Sequence, residues 1–133
     1  MRALTTAAAA ILMIAVISIT GSLARAQEAQ TAHPMTGPGP FTVRLKFPAN
    51  YKIPAHWHPI KVTVTVISGT FHMGLGDTLD TEKGKALPTG SIFEMPAKIH
   101  HFGWTTEETI IQEHGIGPLS VNYLNPAGGP PHR

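Results

Sequence analysis

His56 and His58 flank Trp57 in the stretch "PAHWHP", just ahead of the β-branched run "VTVTVI" at 62–67. In an extended strand, residues two apart project to the same face, so the two imidazoles stand side by side. A helix would send them to different sides, and Pro54 and Pro59 around the pair argue against one. Two imidazoles on one face are half of a site for a divalent metal, imidazole being the side chain most often used as a metal ligand. The plain alternative is a solvated pair at a strand end, because a histidine–x–histidine motif alone is weakly specific. The chain has eight histidines and no cysteine. Thiolate metal sites and cysteine nucleophiles are therefore excluded, and a metal here would rest on nitrogen and oxygen ligands.

The elements that must position such a pair read as strands. "FTVRLKF" at 41–47 alternates strictly, with Phe41, Val43, Leu45 and Phe47 on one face and Thr42, Arg44 and Lys46 on the other. That is the period of a half-buried strand. "VTVTVI" repeats it with residues that suit a pleated surface. "TFHMGL", "GSIFEM", "ETIIQEH" and "LSVNYL" are further candidates, separated by turn signals at Ser68-Gly69, Gly76-Asp77, Gly84 and Thr89-Gly90. No long helical pattern and no repeat is visible. Many short strands with Gly/Pro turns predict an all-β antiparallel sandwich or closed barrel.

Residues 1–26 read as a signal peptide. Arg2 precedes the apolar run "AAAAILMIAVISIT", and Ala24-Arg25-Ala26 ends the segment in an A-x-A pattern. The run is shorter than the about 20 residues a membrane span needs. This predicts a periplasmic or secreted protein, cleaved near Ala26, with no stable membrane anchor. Arg2 and Arg25 would leave with the segment, so eight Lys and Arg then face eight Asp and Glu. Such a balance gives no basic patch for nucleic acid. Residues 27–40, rich in Pro and Gly, predict a flexible lead-in, residues 41–125 the folded domain, and residues 126–133 a flexible tail.

Two motifs sharpen the reading. Asn50, His56, His58, Val62 and Gly69 fall at the spacing of the first motif of the cupin superfamily, and Gly90, Pro96, Lys98, His101 and Thr105 at that of the second. The chain resembles small single-domain cupins over about residues 41–125. The resemblance implies an antiparallel jelly-roll β-barrel, a double-stranded β-helix, with a metal held inside by histidines of both motifs. Carried over by position, His56 and His58 match the first-motif pair and His101 the second-motif ligand. His100, next to it, should point to the opposite face.

The sequence departs from the pattern in four places. Val62, or Thr63 with one more spacer, stands where the family has a glutamate ligand. Asn50 and Lys98 replace glycines, and Thr105 replaces an asparagine. Without the glutamate, three neutral imidazoles leave the full charge of a divalent ion uncompensated. Either the three histidines hold the metal alone with open coordination positions, or another residue completes the set, or metal is bound poorly or not at all. His114 is the candidate fourth ligand, on a face shared with Ile110 and Gln112. His72 is a weaker one. Glu94 and Glu113 could also reach inward, though each reads first as a solvated strand residue, and His114 or Glu113 could serve as a proton carrier.

The expectation is an exported cupin binding a divalent metal (Fe, Mn, Zn, Ni or Cu) through His56, His58, His101 and His114. It would act on a small molecule as a metal-dependent oxygenase or isomerase. The alternative is a non-catalytic exported protein that binds metal or a small ligand. A flat strand such as "FTVRLKF" could also pair two copies as a homodimer.

Overall fold

The computed structural model describes residues 28–31 and 35–125. The expected signal peptide and the tail lie outside these residues. The chain forms strands β1 (Glu28–Thr31), β2 (Gly39–Phe47), β3 (Lys52–Trp57), β4 (Val62–Ser68), β5 (Thr70–Leu75), β6 (Lys85–Pro88), β7 (Ile92–Met95), β8 (His101–Thr105), β9 (Thr109–Gly117) and β10 (Asn122–Tyr123). They make two five-stranded antiparallel sheets, ordered β1-β2-β9-β4-β7 and β10-β3-β8-β5-β6. β9 returns from late in the chain to lie between β2 and β4, and its register with β2 runs unbroken from Gly39↔Gly117 to Phe47↔Thr109. Among the described residues no helix is long and apolar enough to cross a membrane.

The alternation read in the sequence becomes the barrel interior. Phe41, Val43, Leu45 and Phe47 of β2, Val62, Val64 and Val66 of β4, and Ile111 of β9 are buried together with Phe71 of β5. Burying each such side chain contributes roughly 1.5–3 kcal/mol. A second cluster of Ala55, Phe102 and Trp104, with Leu79 and Leu124 against it, seals the outer side of the other sheet. Ser68-Gly69-Thr70 turns β4 into β5. Gly69 has φ +74°, and a Cβ there would come within 2.5 Å of the Glu108 carbonyl oxygen. Only glycine fits both constraints.

The lead-in expected to lack regular structure differs from the observed chain. Glu28–Thr31 pairs antiparallel with β2, Glu28 opposite Lys46 and Thr31 opposite Val43. β6 and β8 are also strands that alternation does not pick out. All five residues of β8 are buried, because one face lines the barrel and the other lies under the second cluster. A strand covered on both sides has no polar face to alternate with.

Candidate metal centre

His56 sits in β3 and His58 just beyond its end. β3 carries Pro54 within it, at a register shift between Ile53 and His56. A bulge tolerates a residue without an N–H. His101 opens β8 and lies directly opposite His56. The Lys98 amide donates to the His58 carbonyl at 2.8 Å, tying the approach to β8 to the first histidine segment. All three histidines are buried, with ring centroids 5.0 Å apart for His56–His58, 4.2 Å for His56–His101 and 5.0 Å for His58–His101.

Each ring is fixed through the same atom. The Nδ1 of His56 is 2.7 Å from the Pro54 carbonyl, that of His58 2.9 Å from Ser120 and that of His101 2.9 Å from Ile99. A carbonyl can only accept, so each Nδ1 carries the proton and each Nε2 keeps its lone pair. Burial pushes all three imidazoles toward the neutral form. His56 falls to about 3, helped by the neighbouring His101. His101 falls to about 4, and His58 is also lowered. The ligand atoms lie within 4.8 Å of one another. Three neutral, oriented imidazoles with unshared nitrogens fit the donor set of a divalent transition metal. The carbonyls play the outer-sphere part that fixes tautomer and ring direction.

The triad faces a cavity of about 80 Å³ inside the barrel. Its wall is mainly apolar, with Leu45, Phe47, Phe71, Phe93 and Ile111 among the lining residues, and Tyr51, Tyr123 and Glu113 add polar groups. Val62 lines it as well, so the family's glutamate position points inward and holds a buried valine here. Thr63, its alternative, alternates outward.

His114 is not brought to the site. It is exposed, and it pairs with Thr42 and Thr63 on the outer face of the sheet. The inner residues of β9 are Ile111, Glu113 and Gly115, not Ile110, Gln112 and His114. Two consecutive isoleucines leave the parity of this strand open in the sequence, and a shift of one residue exchanges the faces. Pairing with β2 decides it, because Ile111 lies opposite inward Leu45. Glu113, expected to be solvated, therefore faces the cavity. Burial raises its carboxyl to about 7.

The remaining candidates lie elsewhere. Glu94 is exposed and pairs with Lys61 at 2.9 Å. His72 stacks on Trp104 with ring centroids 5.0 Å apart, away from the cavity. His100 points outward, 2.7 Å from Asp77. Trp57 is partly exposed, while Trp104 is buried in the second cluster.

A small antiparallel jelly roll with histidines of two distant segments meeting at one end of its interior has the architecture of a cupin. Comparison with solved structures says the same: the chain has the cupin fold. It is similar to an RmlC-like cupin from Desulfovibrio desulfuricans, with TM-score 0.55, 17% identity, and coverage of 69% of this chain and 82% of the other. It is also similar to the polyketide cyclase RemF from Streptomyces resistomycificus, with TM-score 0.65, 14% identity, and coverage of 80% and 76%. Salicylate 1,2-dioxygenase from Pseudoaminobacter salicylatoxidans, solved as adducts with gentisate, matches at TM-score 0.63 and 12% identity. That match takes in 78% of this chain and only 30% of the dioxygenase. No family model and no curated protein matches the sequence.

Proposed function

We propose that this protein is an exported cupin that holds one divalent metal ion on His56, His58 and His101 and transforms a small, largely apolar molecule in the barrel cavity. The observation that carries the reading is the set of three Nδ1-to-carbonyl hydrogen bonds. Together they turn three Nε2 lone pairs toward one another in a buried place. The ligand atoms lie within 4.8 Å of one another, and one metal ion would take all three lone pairs at once. A bound divalent cation supplies charge that polarises an oxygen of the bound molecule. The chain's own part is to exclude water with the apolar wall, to orient the imidazoles and to keep them neutral.

Oxygenation or isomerisation of the small molecule fits a three-imidazole site with coordination positions left open. The dioxygenase and the cyclase that share the fold support this direction without fixing the reaction, because fold does not carry function by itself. Residues 1–26, with their basic start, apolar middle and A-x-A end, support export.

The test is the metal content of protein recovered from the periplasm or medium without a histidine tag or chelator. About one equivalent of transition metal per chain is expected, and less than a tenth of that in His58→Ala. Full occupancy in His58→Ala would remove the assignment.

A further inference from the structure

The carboxyl missing from the first motif has a counterpart in a different strand. Val62, at the glutamate position, lies beside Gly115 of β9, and the next inward pair along the same two strands is Val64 and Glu113. Residues directly opposite in an antiparallel pair share a face. Glu113 therefore enters the barrel one strand over and one pleat deeper, about 7 Å along the strand axis. Its neighbours on the two flanking strands are Val43 and Val64, both buried and apolar. The Phe41 ring lies over Gly115 beside it, at 3.2 Å from where a Cβ would stand. Among the described residues the Glu113 carboxyl has no hydrogen-bond or ion-pair partner, and burial alone accounts for its raised pKa. It borders the cavity that the three imidazoles also border, yet it does not join the cluster of ligand atoms.

Glu113 is half-buried, and a carboxyl group set in an apolar wall without a partner adds a cost to folding. Such groups concentrate where proton transfer is needed, because burial brings the carboxyl pKa close to working pH. Leucine would fill much the same space without the penalty.

We propose that Glu113 is the acid–base residue of this cavity, exchanging a proton with the hydroxyl of a small phenol- or enol-type molecule held between its carboxyl and the three histidines. In the forward step the ligand O–H bond breaks and an O–H bond forms on Glu113, while the electron pair stays on the ligand oxygen. The reverse step returns the same proton to carbon or oxygen of the product. This assignment rests on the reading of His56, His58 and His101 as the metal centre, and it gives the site the acid–base group that the first motif lacks.

The test uses zinc-loaded protein recovered after export, the Glu113→Gln variant, and catechol as the probe. Zinc content is measured first in both proteins, and thermal unfolding confirms that both are folded. Catechol binding is then followed at pH 8 by calorimetry in buffers of different ionisation enthalpy, which counts protons released per site. Wild type is expected to release about one proton fewer than Glu113→Gln, because Glu113 takes up the catechol proton that the glutamine variant must give to buffer. Equal proton release from the two proteins overturns the assignment of Glu113, as does a failure of the zinc-loaded wild type to bind catechol. Absence of zinc from the wild type overturns the metal reading instead, at the first measurement and before any probe is added.

Discussion

At the scale of single residues, the site sets two opposed demands on protonation. His56 and His101 are held neutral, at about 3 and about 4, by burial above all. In the unfolded chain they take up protons near pH 6.5. Between those values the unfolded state binds more protons, so the metal-free protein loses stability as pH falls below about 6.5. Glu113 works the other way. Its folded pKa of about 7 lies above the ordinary glutamate value of 4.5, so its contribution is complete at low pH and is lost as pH rises through 7. Glu113→Gln cannot ionise. Its stability advantage over wild type should therefore grow between pH 5 and pH 8, by on the order of 2 kcal/mol, in urea titrations of metal-free protein. A constant difference across that range would place the Glu113 carboxyl in water. Val62→Glu tests the same wall. It should raise metal affinity about tenfold or more by adding a negative ligand. It should also cost the metal-free protein about 2–4 kcal/mol for a buried carboxyl. Isothermal titration with zinc and urea unfolding measure the two effects. Unchanged affinity would mean that position 62 does not reach the ion.

At the scale of elements, the departures from the motif turn out to be local solutions to the same geometry. Asn50 and Lys98, where glycines were expected, keep the left-handed backbone at φ 60° and φ 64°. Asparagine visits that region readily, whereas lysine pays about 1 kcal/mol or more. Lys98→Asn should therefore stabilise the protein by about 0.5–1 kcal/mol in thermal or urea unfolding, with no change in metal content. Thr105, in place of the asparagine, donates to the Pro48 carbonyl at 2.7 Å and accepts from the Tyr51 amide at 3.1 Å, pinning β8 to the turn before β3. Thr105→Val keeps the shape and strands both partners. It should cost about 1–3 kcal/mol by urea unfolding. A smaller loss would show that the turn is held by something else.

The sequence carried this level unevenly. β2 and β4 were legible because one face of each is polar, and the histidine pair because two residues apart is the strand period. β8 was hidden by burial on both faces. The inner face of β9 was hidden by the Ile110-Ile111 doublet, which placed His114 at the site and Glu113 in solvent until pairing with β2 settled the parity. No local signal in one strand reports which neighbour it will meet 70 residues away.

At the scale of the whole molecule, a small jelly roll without cysteine lacks the disulfides that often brace exported domains of this size. A bound ion would take their place. It would join the β3 segment to β8 through His56, His58 and His101, and its binding energy would add to folding energy wherever the unfolded chain offers no site. EDTA should therefore lower the melting temperature of the wild type and leave His58→Ala unmoved. The barrel also explains how the site is legible in the sequence when the reaction is not. Histidine spacing and strand period are local, but the cavity wall is assembled from eight strands whose side chains meet only on closure.

The measurement closest to the central claim is the transition-metal content of untagged, exported protein determined by mass spectrometry alongside His58→Ala. The structure predicts about one ion per wild-type chain and almost none in the variant. A wild type that carries no metal after growth with iron, manganese, zinc, nickel and copper supplied, or a variant that carries as much as the wild type, would contradict it.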